Sequence, residues 1–397
     1  MDLETDPHSH ADCRVLYDLF VKATAATATQ GWSEDALRLN AVCPYYTMFP
    51  LEFPLQQLAA KNNATRVLDP FCGRGTTLYA ARLAGLPSVG IDINPVAVAI
   101  AQAKLAQVTP DAVMKLARKL LDCQVDENLP QGEFWQWCYE SDTLREIVTL
   151  RRSLMALDTP TAAMLRAIML GILHGPRNKG LPSYLSNQMP RTYASKPAYA
   201  VKFWQSRDLA PTRISTLDVI ARRSERLLKQ APSAQGGRVY LGDSVETLHT
   251  MRQKFDLVVT SPPYYGMRTY VPDQWLRSWF LGGPPDVPYG TLGQIARQPN
   301  QEAFSKALAT VWDATAERCL PGARLAIRFG AIPSVRTNPE QLILSSIDRA
   351  QASWVVKQVH PAGISPKRAR QAEQMGKVGS AIDEVDVVAE LAEPTLF

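Results

Sequence analysis

The stretch VVTSPPYYGMR, residues 258–268, places a hydroxyl, two prolines and two tyrosines where an apolar run ends. Pro262 and Pro263 fix φ and donate no N–H, so the carbonyls around them are acceptors held in one geometry. A held carbonyl beside the Ser261 hydroxyl can grip an exocyclic amino group. The flat ring of Tyr264 can stack on the heterocycle that carries that group. Gly266 lets the chain turn away. Ser261, Pro262, Pro263 and Tyr264 are therefore candidate catalytic residues, with a structural Pro-Pro turn as the plain alternative. Tyr265 is left to packing.

A second stretch, LDPFCGRGTT (68–77), suits a nucleoside-bearing ligand. Asp69 ends an apolar pair, Val67-Leu68, and a helix opens near Thr76. Gly73 and Gly75 let backbone approach a ligand with no Cβ in the way. The helix start offers free N–H groups and the positive end of a dipole. Asp92 lies 19 residues beyond Gly73, at the end of VGIDINP. An acid at the tip of the second strand of a βαβ unit can accept from both hydroxyls of a ribose. The third glycine of a GxGxxG run is missing, which argues for a single adenosine moiety over a dinucleotide. The alternative for Asp92 is a turn or helix-cap acid.

These residues need a sheet to hold them. Apolar runs near 67, 89, 239, 257, 325, 355 and 386 predict seven strands. Helices are expected over 12–28, 76–85, 95–107, 300–318 and 337–352. Residues 29–50 read as irregular, and LPGARLAIRFG (320–330) as a strand after a Pro-Gly turn. Strand, turn, helix and strand in succession open a doubly wound α/β fold. The alternation stops at 108–235, where helical periodicity appears at 111–123, 141–156, 160–174 and 212–230. Between them, 175–204 reads as an irregular Pro- and Tyr-rich piece. The expected organisation is 1–107 as the N-terminal helix and the first half of a catalytic domain, 108–235 as a helical insertion, and 236–397 as the second half.

The chain has 397 residues, of which 46% are hydrophobic and 20% charged, ordinary for a soluble globular protein. No apolar run approaches the roughly 18 residues of a membrane span. The acidic, polar start does not read as a secretory signal. Six cysteines (13, 43, 72, 123, 138, 319) lack CxxC or metal spacing, so reduced thiols in a cytoplasmic protein are expected and no metal is assigned. The net charge is +5, unevenly spread. Residues 176–230 hold eleven Lys/Arg against three acids, and 357–377 hold five against one. Basic zones on a near-neutral body suit a polyanion, while solvated helix faces are the bland reading. His174, in ILHG, reads as a core or turn histidine with a substrate role as the lesser option.

Together, DPFCGRGTT and TSPPYYG resemble the S-adenosylmethionine-dependent DNA amino-methyltransferases, which modify the 4-amino group of cytosine or the 6-amino group of adenine. CPYYTMFPLEFP (43–54) looks like the family segment over the methionine end of the donor, and YLGDSVETL like its third donor motif. The resemblance covers roughly 40–107 and 236–393 and omits the insertion. It implies a class I methyltransferase (Rossmann-like) seven-stranded sheet with a large helical insertion, with S-adenosyl-L-methionine as cofactor. Donor-binding residues would be Tyr45, Phe49, Pro50, Asp69, Pro70, Phe71, Cys72, Gly73, Gly75, Thr76, Thr77, Asp92, Ile93, Asp243 and Ser244. Asp92 would sit on the ribose and Asp243 near the adenine. Ser at 261 is more typical of cytosine enzymes, and Asp there of adenine enzymes.

The implied substrate is double-stranded DNA with a flipped base. Two features depart from the family's usual pattern. The donor motif precedes the catalytic one, and the insertion lies between the second and third donor motifs. The insertion is still read as a target-recognition region, with Tyr184, Tyr193, Tyr199 and Trp204 interleaved among its charges. Phosphate contacts are assigned to Arg177, Lys179, Arg191, Lys196, Arg268, Arg368 and Arg370. The alternatives are an N6-adenine enzyme, an RNA amino-methyltransferase, or a DNA-binding module on a relic fold. A cognate restriction enzyme is an open option among partners.

Overall fold

The computed structural model describes residues 32–44, 50–61, 63–123, 129–176, 180–189, 196–233, 236–267, 274–287, 295–332, 335, 337–362 and 384–393. The expected helix over 12–28 lies outside the described residues.

All seven expected strands form, and they make one sheet in the order β3-β2-β1-β4-β5-β7-β6. The strands are β1 (Val67–Asp69), β2 (Ser88–Asp92), β3 (Gly237–Leu241), β4 (Phe255–Thr260), β5 (Cys319–Gly330), β6 (Trp354–Pro361) and β7 (Glu384–Leu391). Pairings from β3 across to β5 are parallel. β7 alone runs antiparallel, between β5 and β6. β1 and β4 are buried along their whole length, as central strands covered on both faces must be. Strand order reverses between β1 and β4, so their carboxyl ends open on the crevice where such sheets take ligands. This is the strand order of the class I methyltransferase fold.

Local signals explain the helices. After α1 (Glu34–Leu37), α2 (Glu52–Ala60) and α3 (Thr76–Leu83) come α4 (Pro95–Leu105), α5 (Pro110–Asp122), α6 (Glu133–Cys138), α7 (Ser141–Met155) and α8 (Pro160–Ile172). Three of these, α4, α5 and α8, open on a capping side chain followed by proline: Asn94-Pro95, Thr109-Pro110 and Thr159-Pro160. The cap accepts an early N–H, and proline occupies a first position whose N–H would have no partner. Then follow α9 (Pro197–Gln205), α10 (Thr216–Leu228), α11 (Ser244–Thr250), α12 (Trp275–Phe280), α13 (Gln301–Glu317) and α14 (Pro339–Asp348), the last again opened by Asn-Pro.

The structure corrects several local readings. α9 occupies part of the piece read as irregular, and buries Ala200, Val201 and Trp204 on one face. Residues 34–41 of the irregular N-terminal stretch are helical. α2, α6 and α12 were not expected. The Pro-Gly turn before β5 is instead part of the strand. β5 absorbs Pro321 and Gly322 through a register shift against β4 between Phe255 and Leu257, with Gly322 at φ +71°.

Helices cover both faces. On one face Phe304, Trp312 and Ile343 pack on Leu68, Phe255, Leu325 and Val387. On the other, the helices of 108–235 share a single core with α2, α3 and α4: Phe53, Tyr79 and Ile100 belong to the same cluster as Trp135, Ile168, Trp204 and Ile220. α8 packs on α4, and α10 on α5. Trp204 was expected among base-contacting aromatics. It is fully buried, its Nε1–H donates to the Gln188 carbonyl at 2.5 Å, and its ring meets Phe134. No helix among the described residues is long and apolar enough to cross a membrane.

Since the insertion and the sheet bury one core, they are expected to unfold together. Trp204→Ala should cost about 3–5 kcal/mol in a single urea transition. Two separated transitions, one of them unaffected, would show an independent insertion.

Candidate active site at the β1–β4 crevice

Asp69 closes β1 and is fully buried. Its Oδ1 accepts the Thr260 hydroxyl at 2.7 Å and the Phe71 N–H at 3.1 Å. Its Oδ2 has no hydrogen-bond partner among the described residues. Burial pushes the Asp69 pKa up to about 6, opposed by the Thr260 and Thr77 hydroxyls and the Phe71 N–H, with Asp92 adding to the rise. The sequence placed Asp69 along the donor. The structure makes it a tie between the turn after β1 and the end of β4. A second tie runs from the Thr77 hydroxyl to the Val259 carbonyl at 3.1 Å.

The turn itself is built as the glycines require. Gly73 and Gly75 take φ of +50° and +75°. A Cβ on Gly75 would sit 2.8 Å from the Ala101 Cβ, whereas a Cβ on Gly73 would meet nothing within 4 Å. Gly75 is therefore required by packing, and Gly73 borders open space. α3 starts at Gly75 with no side-chain cap, so its first-turn N–H groups receive no such partner. Thr76, Thr77, Pro70 and Cys72 are buried in the turn. Phe71 rests edge-on against Trp312 with ring centroids 6.2 Å apart.

Asp92 ends β2 and clamps this turn. Its Oδ2 accepts from Gly73 N–H at 2.9 Å and its Oδ1 from Asn94 N–H at 2.8 Å. The carboxylate keeps some solvent contact, yet the protein around it pushes its pKa up to about 6 by burial, against those two N–H groups. Beside it, Ile93 and Leu241 are exposed apolar side chains at the tips of β2 and β3. Asp243 caps α11, its Oδ1 accepting from Val245 N–H at 2.8 Å and Glu246 N–H at 3.2 Å. Ser244 donates its hydroxyl to the Pro70 carbonyl at 2.5 Å. Pro50 is half-buried before α2. Tyr45 and Phe49 lie outside the described residues.

On the acceptor side, Ser261 and Pro263 are half-buried and Pro262 is buried, directly after Thr260. Gly266 has φ +77° and returns its N–H to the Ala296 carbonyl at 2.8 Å. Tyr264 corrects an expectation. It is only 7% exposed, its hydroxyl donates to Glu384 Oε1 at 2.6 Å, and its ring meets Phe329 edge-on at 5.5 Å. In this structure the ring is a wall of the crevice, with little face free for a base. Tyr265 packs edge-on against Phe304, as packing alone would have it. Sequence reasoning missed Thr260, which was read only as the strand end, and Glu384, a buried acid that no local signal marks.

Of the assigned cations, Arg177, Lys179, Arg191, Arg268, Arg368 and Arg370 lie outside the described residues, as does Tyr193. Lys196 is exposed at the start of α9. Tyr199 is exposed and Tyr184 half-buried. His174 is a core residue.

A family model described as DNA methylase matches residues 42–103, the span that carries α2, the donor-side turn and β2. No curated protein matches the chain. Among solved structures, the rRNA methyltransferase aviRa from Streptomyces viridochromogenes is similar, with 14% identity, 91% of this chain and 94% of that one covered, and a TM-score of 0.35. An rRNA methylase from Streptococcus thermophilus shares 8% identity over 88% of this chain and 100% of that one, with a TM-score of 0.33. TrmN from Thermus thermophilus shares 10% over 89% of this chain and 52% of that one, with a TM-score of 0.34. The family match and the strand order define the class, a methyltransferase with S-adenosylmethionine as methyl donor. The crevice fits that donor: open space beside Gly73, uncapped N–H groups at α3, an acid at the tip of β2 and exposed apolar side chains beside it.

The two glycines should separate by experiment. Both glycines have positive φ, so each Ala variant carries a backbone strain of about 1–2 kcal/mol. Gly75→Ala should lower stability further in urea unfolding through its clash with Ala101, and Gly73→Ala should add weaker S-adenosylhomocysteine binding. The reverse assignment would contradict the geometry. Asp69 predicts a pH effect. Its folded pKa lies above the unfolded value near ~3.9, so the folded state holds the extra proton between those values. The stability it contributes is then greatest in acid and falls as pH rises from about 4 through about 6. Asp69→Asn should flatten that part of the profile by about 2 kcal/mol, read from urea unfolding at pH 4.5 and 7.5. Identical slopes in both proteins would mean that the carboxyl is not buried as a charge.

Proposed function

We propose that the chain transfers a methyl group from S-adenosylmethionine to the 4-amino group of cytosine in DNA. The observation that carries the reading is the Asp69–Thr260 tie, because it fixes the donor-side turn against the residue that precedes Ser261-Pro262-Pro263. When bound, S-adenosylmethionine supplies a sulfonium methyl, an electrophile that an amino nitrogen takes directly without a covalent enzyme adduct. The chain's part is positioning. The Ser261 hydroxyl and the adjacent proline-held carbonyl accept from the amino group, orient its lone pair and make it more available. Tyr264 walls the pocket for the extruded base. Asp92 takes the ribose hydroxyls on the lone pairs that Gly73 and Asn94 leave open.

The match to a DNA methylase model supports DNA as substrate, and Ser at position 261 supports cytosine over adenine. The exposed cations of the insertion, among them Lys196, Lys202, Arg207 and Arg222, supply phosphate contacts. Cysteines without paired or metal spacing and a nucleic-acid substrate support a cytoplasmic setting for the reaction.

The test is to incubate the chain with labelled S-adenosylmethionine and either DNA or RNA, digest to nucleosides, and identify the labelled one. N4-methylcytosine in DNA is expected. Label on adenine, or only in RNA, would overturn the substrate assignment. Ser261→Ala should lower kcat by about 10²-fold or more while donor affinity stays unchanged. Collapse of donor affinity would show that Ser261 belongs to the donor site.

A further inference from the structure

Four cationic side chains gather on the insertion side of the donor turn, with no carboxylate paired to any of them among the described residues. Arg74 stands between Gly73 and Gly75 and is 5% exposed. One of its terminal nitrogens reaches the Cys43 carbonyl at 3.5 Å, and its Nε has no hydrogen-bond partner among the described residues. Arg277, on α12 and 4% exposed, reaches the next carbonyl, Pro44, at 2.7 Å. It also donates to the Leu170 carbonyl at 3.0 Å and to Gln274 Oε1 at 2.7 Å. The two guanidinium groups thus converge on consecutive carbonyls.

Lys104, from α4, is fully buried and donates to Asn40 Oδ1 at 2.7 Å. Arg223, on α10, is half-buried; burial lowers its pKa, the neighbouring Tyr184 hydroxyl and Cys43 thiol oppose the fall, and Arg226 adds to it. Burial raises the pKa of the Cys43 thiol, and all four cations oppose that rise. Burial pushes the Lys104 pKa well down, and the charge of Arg74 in the same part of the core adds to the fall. His174 follows α8, is 2% exposed, lies near Arg277, and has no partner on either ring nitrogen among the described residues.

Buried charges in folded proteins are paired or bound to something of opposite sign. Carbonyl oxygens satisfy Arg277 and part of Arg74, but they neutralise nothing. The methyl donor is a poor counter-charge. It carries a sulfonium and an ammonium against one carboxylate, so it is a net cation. A phosphate fits better: planar guanidinium groups suit its oxygens, and a neutral imidazole adds one N–H. Arg223 is part of the α10 surface that carries Arg222, Arg226 and Lys229, within the basic zone of the insertion.

We infer that Arg74, His174 and Arg277 line a subsite for a phosphate group beside the donor turn. The phosphate comes from the nucleic-acid backbone or from a free phosphate, and only the first source rests on the function proposed above.

Three measurements on the full chain test this, with Arg74→Met and Arg74→Lys. In Arg74→Met, the slope of log affinity for a short DNA duplex against log salt should become shallower by about 0.9, one phosphate's worth. Arg74→Lys should keep most of the slope. Inorganic phosphate at constant ionic strength should raise the melting temperature of the wild type and not of Arg74→Met. Affinity for S-adenosylhomocysteine should not change.

A lost phosphate response with an unchanged DNA slope supports the site and assigns it to free phosphate. An unchanged slope with an unchanged phosphate response overturns the inference. A loss confined to S-adenosylhomocysteine also overturns it, and gives the cluster to the donor's carboxylate. A wild type that answers to phosphate but binds no nucleic acid would sink the proposed function and leave this subsite standing. Should Arg74→Met fail to fold, His174→Leu, which removes an N–H donor and no charge, should lose the melting-temperature response to phosphate with the salt slope and S-adenosylhomocysteine affinity unchanged, and an unchanged response overturns the inference.

Discussion

The Asp69 carboxylate, buried between β1 and β4, is the interaction on which the crevice depends. Parallel neighbours at a switch point diverge beyond their last paired residues, so nothing in the ladder fixes the two turns against each other. One oxygen of Asp69 does so by accepting from the backbone of one turn and from the Thr260 hydroxyl at the head of the other. Burying the acid raises its pKa, so the tie is kept at an energetic cost. Weaker ties extend the same frame across the neighbouring tips. Thr77 reaches Val259, Cys72 N–H reaches the Ile91 carbonyl at 2.9 Å, Ser244 reaches Pro70, and Gly242 N–H reaches the Asp92 carbonyl at 3.1 Å. The tips of β3, β2, β1 and β4 are therefore one rigid rim, the condition under which a donor and an acceptor can be aligned.

Much of this rim was legible because its signals are local. Strands appear as apolar runs, helix starts as Asn-Pro or Thr-Pro, and the donor turn as glycines whose positive φ demands them. What was not legible is non-local. Thr260 ends a strand like any threonine until Asp69, far away in sequence, is folded against it. α9 is built from PAYAVKFWQ, whose aromatic and β-branched residues are middling helix formers, and its helix is secured by burying Val201 and Trp204 in a distant core. Trp204 among basic residues looks the same in sequence whether it faces a nucleic acid or the interior.

The insertion shows how composition can mislead about independence. Its charge differs from that of the rest of the chain, which suggests a separate part. Its apolar side chains instead complete the core that α2, α3 and α4 begin. The basic surface and the catalytic sheet therefore sit on opposite sides of one packed layer. Arg74 and Lys104 from the sheet's own side and Arg223 from the insertion all act on the buried Cys43 thiol within it.

The acceptor turn is governed from the other end of the chain. β7 runs antiparallel beside β5 and pairs Glu384 with Gly330. That register brings the Glu384 carboxylate to the Tyr264 hydroxyl. It also leaves Gly330 so close to the ring that a Cβ there would meet Tyr264 at 3.0 Å. The one antiparallel strand thus sets the position of the tyrosine that follows the two prolines. The spacing of SPPYY presents that tyrosine as a free aromatic platform. Only the pairing of β5 with β7 shows that its hydroxyl is already held and that its ring serves as a wall.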